Sequence, residues 1–237
     1  MINWKAILLA LICCPACSFG QEQEFKKDMV GIHQFVKGHP NLQIEAVYQL
    51  YASHQSSQAV DAMTAIAKRQ GERIYHQLAE IESITDGTNM MVIDHQEKSI
   101  FIDAGASSLD HLLVGYDVEN TLRYSQNISK TEDLPGQRTY QMDLLSAEYE
   151  KMAISFDPTA YQMKKVTLYY RMAQKLTDEQ AKEDKPRLEI IFIKMSTQRP
   201  AADWFDTRKY VRHMEGKAHP TEAYQHYQVI DNRVMNK

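Results

Sequence analysis

The chain has 237 residues, 43% of them hydrophobic, a formal net charge of −4 and three cysteines. A mildly acidic chain has no electrostatic reason to seek nucleic acid or an anionic membrane surface. The cysteines, Cys13, Cys14 and Cys17, crowd at the start, so the rest of the chain has no disulfide framework and must be held by its own core.

Met1–Gly20 has one cation, Lys5, then an apolar run from Ala6 to Cys14, and ends in Ser18-Phe19-Gly20 before the polar Gln21–Glu24. That is the layout of a secretory signal peptide, too short to span a bilayer. It predicts a periplasmic or otherwise exported protein, cleaved near Gly20. The rival is a lipid anchor at Cys17, which follows the small residue Ala16. No later stretch is apolar enough to predict a transmembrane helix.

Phe25, Met29, Ile32 and Val36 form one apolar stripe, a helix ended by Gly38-His39-Pro40. Leu42 to Leu50 alternates as a strand with one buried face. Ala62–Lys68 and Arg73–Leu78 read as extended chain around a Gln70-Gly71 turn. Ile81–Ile84 follows, ahead of the Asp86-Gly87 turn signal. Met91-Val92-Ile93 and Ile100-Phe101-Ile102 flank Asp94–Lys98, a β-hairpin with a loop of about five residues. Ser107 or Ser108 would cap a second helix carrying Leu109, Leu112, Leu113 and Tyr116. From Arg138 the pattern is β again: Tyr140, Met142 and Leu144 alternate, and Lys151–Phe156 follows. In Tyr161–Met172 the apolar phase changes at Lys164-Lys165, where a bulge would turn Val166, Leu168 and Tyr170 inward. Leu188–Met195 is apolar on both faces in its middle, as in a strand covered on both sides. Trp204-Phe205, Tyr210-Val211 and Tyr224–Ile230 predict a short helical turn and closing strands.

No repeat or linker divides the chain. The expectation is α+β: one domain over 21–237, with an antiparallel sheet of roughly nine to eleven strands and two or three helices. A sheet that long tends to curl into a barrel or half-barrel.

No cluster of residues names a reaction. The nine histidines show no His-x-x-x-His spacing and have no cysteine to help them, so no metal site is predicted. Asp94 and His95 point to opposite faces if extended, and Asp94 suits a turn that accepts backbone N–H groups. Gly105-Ala106-Ser107-Ser108 lacks the Gly-x-Ser-x-Gly elbow, and no glycine-rich phosphate loop exists. Glu80 and Glu82 read as ordinary acids of a solvated face. The chain is predicted not to be an enzyme and to need no cofactor.

The stretch Asp86-Gly87-Thr88-Asn89-Met90-Met91-Val92-Ile93-Asp94-His95-Gln96-Glu97-Lys98-Ser99-Ile100, preceded by a leader, an amphipathic helix and the long strand Leu42–Leu50, resembles the outer-membrane lipoprotein carrier (LolA-like) family. The ending Tyr224-x-x-Tyr227-x-Val229-Ile230-Asp231-Asn232 is similar to that of divergent Bacteroidetes-type members. The resemblance implies a strongly curved antiparallel sheet, an incomplete β-barrel, with helices over its concave side. It also implies an apolar cavity for a lipid or lipidated protein. The basic rim of family carriers has no matching residue here.

On this reading the candidate wall residues are Ile44, Tyr48, Met91, Ile93, Phe101, Met142, Met163, Leu168, Tyr170, Leu188, Ile190 and Phe192. Thirteen tyrosines and twelve methionines support an adaptable apolar lining. The expected function is reversible binding of an apolar or lipidated partner, as a lipoprotein carrier or acceptor. The alternative is an envelope scaffold that binds a protein partner and fills its core with its own side chains.

Overall fold

A computed structural model describes residues 15–105, 123–177, 180 and 182–234. Helix α1 (Pro15–Gly38) precedes β1 (Asn41–Tyr51), β2 (Ala59–Gln70), β3 (Arg73–Leu78), β4 (Ile81–Thr85), β5 (Asn89–Asp94) and β6 (Ser99–Ala104). Then come β7 (Ser125–Leu134), β8 (Gln137–Leu144), β9 (Tyr149–Phe156), β10 (Met163–Tyr170) and β11 (Arg187–Ser196). The chain closes with β12 (Val211–Met214), β13 (Lys217–Pro220) and β14 (Gln228–Asp231), among four 3₁₀ turns. Twelve strands share one ladder order, β14-β6-β5-β4-β3-β2-β1-β11-β10-β9-β8-β7, and β12-β13 form a separate pair. The order is linear, so the sheet is open.

Three expectations are corrected. The sheet has twelve strands rather than nine to eleven. One of them, β7, is so polar that only its pairing with β8 makes it a strand. Among the described residues there is one long α-helix, against the two or three expected, and residues 123–124 are also helical; the helix expected after Ser107 or Ser108 lies outside them. The pairings within β2 to β6 and within β7 to β11 are antiparallel, whereas at the sheet's edge β14 runs parallel to β6.

The chain divides into two compact units. The first comprises Met1–Val36, Gln49–Asp61 and Tyr116–Ile191. Its ladder aligns Tyr140, Ile154, Val166 and Ile190 in one row across β8 to β11. All four are buried. The expected slip is present: register shifts between Met163 and Lys165, which puts Val166 into that row. Helix α1 buries Phe25, Met29 and Ile32, and Phe25 meets Tyr140 edge-on at 5.1 Å. Asp28 lies on the same stripe, so helical geometry drives a carboxylate into the core. It is satisfied there by Arg138 Nη1 and the Tyr140 hydroxyl, each donating at 2.8 Å.

The second unit comprises Lys37–Tyr48, Ala62–Gly115 and Phe192–Lys237. Here β2 to β6 form a meander with two rows facing one way. One row is Lys68, Tyr75, Ile84, Met91 and Ile102; the other is Ile66, Gln77, Glu82, Ile93 and Ile100. The Asp86-Gly87 turn is as expected, with Gly87 at φ +96°, a conformation that favours glycine. The segment after β11 lays Trp204, Phe205, Tyr210 and Val211 over these rows and closes the core. The cover expected at the middle of Leu188–Met195 is partial: Ile190 is buried, Ile191 and Phe192 are half-buried, and Ile193 is 66% exposed.

Candidate functional site

Two features of the second unit concentrate polar groups against apolar ones. The first is built on Glu82, which stands among Ile66, Ile93 and Ile100. Its side chain is only 13% exposed. Oε2 accepts from the hydroxyls of Tyr75 at 2.8 Å and Tyr210 at 2.6 Å. Oε1 lies 2.6 Å from His95 Nε2, and His95 Nδ1 lies 2.9 Å from the Tyr227 hydroxyl. The Tyr224 ring packs on Tyr210 and Tyr227, at 4.9 Å from each. Three tyrosines of the C-terminal segment are thereby tied to one carboxylate of the sheet.

The electrostatics follow from this packing. Burial pushes the Glu82 carboxyl up, but the hydrogen bonds from Tyr210, His95 and Tyr75 outweigh it, and the net effect holds it below the usual range. Burial and the Glu82 charge drive the Tyr75 and Tyr210 hydroxyls well above the ordinary tyrosine range. Both Glu82 oxygens are engaged, and the cluster holds the C-terminal segment on the sheet.

The second feature is a pocket of about 220 Å³. Ile84, Met90, Met91, Ile102 and Phe205 supply its apolar lining; Asp86, Asn89, Thr207, His213 and Arg233 supply its polar groups. Arg233 is held bidentately by Asp231, at 2.9 and 2.7 Å. Burial raises the Asp86 carboxyl, but hydrogen bonds from Asn89 and Thr88 hold it at about 2, so it is ionised at neutral pH. The lining thus combines apolar side chains with one acid, Asp86, and one cation, Arg233. No group of three His, Cys, Asp or Glu among the described residues converges as a metal site would.

The predicted wall residues fall in both units. In the first, Met142, Met163 and Ile190 are buried, and Leu168, Tyr170 and Leu188 are half-buried. The register sets Met142, Leu168 and Leu188 in one row. In the second, Ile44, Met91 and Ile93 are buried, and Tyr48 and Phe192 are half-buried. Phe101 pairs with Val92, on the face opposite Met91 and Ile93, and is 39% exposed. Of the twelve, Met91 lines the pocket.

Sequence reasoning missed Glu82, His213 and Arg233. Glu82 was legible: it shares strand phase with Ile84, so an inward Ile84 turns it inward too. Glu80, outside the strand, is exposed as expected. Asp94 also behaves as expected, accepting from the backbone N–H groups of Gln96 and Glu97. His213 and Arg233 gave no signal, because they reach the pocket only through the chain's final path.

No protein-family model and no curated protein matches the sequence. Similar solved structures include a chain of the Pseudomonas aeruginosa MucA/MucB complex, at 11% identity and TM-score 0.46, covering 78% of this chain and 61% of that one. An uncharacterized conserved protein from Thermus thermophilus is similar at 8% identity and TM-score 0.47, covering 86% and 98%. A LolA superfamily protein from Nitrosomonas europaea is similar at 8% identity and TM-score 0.33, covering 78% and 97%. The chain spans less than two thirds of the matched MucA/MucB chain. At these identities and scores the likeness carries neither a family assignment nor a function.

Proposed function

We propose that the protein is a non-enzymatic, exported envelope protein that reversibly buries an apolar group of a lipid or lipidated partner in the pocket of its second unit. The pocket carries this reading: it is lined by Ile84, Met91, Ile102 and Phe205 together with polar groups that include His213 and Arg233. Its 220 Å³ is room for roughly seven groups of water or methylene size. At about 0.8 kcal/mol per methylene, burial contributes about 5–6 kcal/mol, the scale of a weak, releasable contact. The end of an acyl chain fits; a whole lipid does not. The leader supports export. The docking contacts of α1 from Glu24 onward all lie past Gly20, so cleavage there leaves them in place.

The scaffold reading is favoured by a different observation. Ile93 and Ile100, at the centre of the sheet face, are 0% exposed beneath the protein's own C-terminal aromatics. Native mass spectrometry of protein extracted gently from its own envelope separates the two. Co-purifying lipid or acylated peptide, lost in an Ile102→Phe variant that fills the pocket, supports binding. Ligand-free protein from repeated gentle extractions overturns it and leaves the scaffold.

A further inference from the structure

We infer that the outer face of the β12-β13 hairpin docks the protein on an anionic lipid surface. The observation is local charge, hidden by the chain's net −4. Residues 207–219 hold four cations, Arg208, Lys209, Arg212 and Lys217, against one acid, Glu215. The hairpin register sorts them. Arg212 pairs with His219 and Met214 with Lys217, on one face; Val211 pairs with Pro220 and His213 with Ala218, on the other. Val211 and Ala218 pack into the core, so the first set faces outward. Glu215 and Gly216, both at positive φ, form the tight tip.

The outward set suits a membrane surface better than another anion. Arg212 and Lys217 form no ion pair among the described residues, whereas Arg208 is offset by Asp206 at 2.8 Å. Met214, 47% exposed, stands in register with Lys217 at the hairpin's end. An exposed thioether between long cationic stems can enter the headgroup layer while the charges stay at phosphate level.

The test is co-sedimentation of the purified protein with phosphatidylcholine vesicles, with and without about a third of phosphatidylglycerol. Binding to the anionic vesicles, weakened by salt, is expected, with none to the neutral ones. Each removed cation should cost about fivefold, so Arg212→Gln with Lys217→Gln should lose about 25-fold. Glu215→Lys, a change of two charges, should gain more than about fivefold, a second variant that does not depend on the first remaining folded. Equal binding to neutral vesicles, indifference to these substitutions, or equally tight binding of soluble polyglutamate would overturn the inference.

Discussion

Glu82 on β4 and Tyr210, 128 residues later, meet at 2.6 Å, and this contact fastens the C-terminal segment to the sheet. Glu82→Gln keeps the shape but removes the charge that Tyr75, Tyr210 and His95 share. Charge-assisted hydrogen bonds contribute about 1.5–3 kcal/mol each, so a loss of about 2–4 kcal/mol is expected. Trp204 packs on Tyr75, at 4.9 Å between rings, so its fluorescence should report the detached segment in urea titrations.

The same carboxylate sets an acid limit. Its folded pKa lies below the ordinary value of 4.5, so its contribution is fully present above that value and is lost as pH falls through the folded pKa. Stability should therefore decline below about pH 4.5. The decline should be shallower in Glu82→Gln, measured by thermal melts at stepped pH.

Alkaline pH acts through the tyrosines. Burial first, then hydrogen bonding to acids, raises the Tyr75, Tyr140 and Tyr210 hydroxyls well above their usual 10. A raised folded pKa means that stability is lost as pH climbs past 10, where the unfolded chain ionises and the folded one does not. Phenolate absorbance should show fewer than thirteen tyrosines titrating until the protein unfolds, then a cooperative jump.

In the first unit, Asp28→Ala should cost about 1–3 kcal/mol, because it leaves the buried Tyr140 hydroxyl without its acceptor, while Arg138 keeps Asp133 and Glu24. Hydrogen exchange should find α1 released from the β8 side at a lower free energy than in the parent. Asp28→Asn, which can still accept, should cost less.

Gly31 faces the Tyr161 ring so closely that a Cβ there would overlap it. Gly31→Ala should destabilise by about 1–3 kcal/mol through overpacking. Tyr161 itself sits at φ +54°, where glycine is at ease. Tyr161→Gly should therefore remove most of the Gly31→Ala penalty, and a double-mutant cycle by urea unfolding measures the coupling.

Local pattern was enough for much of the fold. The Phe25, Met29, Ile32 stripe, the Met91–Ile102 hairpin and the bulge after Met163 are encoded in periods of 3.6 and 2, which need no distant partner. Strand β7 was not legible, since Ser125–Leu134 gains its state from pairing with β8. Phe101 shows the other failure. Its strand was evident, but the facing side was set by the Ile93–Ile100 pairing.

The lack of later cysteines, the β-rich plan and the amphipathic helix can all be read from the chain alone, because composition and short-range periodicity carry them. Two other features emerge only on folding. Glu82 gathers Tyr75, Tyr210 and His95, with Tyr227 behind the histidine, and His213 and Arg233 join Met91 at one pocket. These groups are brought together by long-range pairing and by the return of the C-terminal segment over the sheet. No local spacing records such a path, because the free energy that selects it comes from burying residues far apart in the chain.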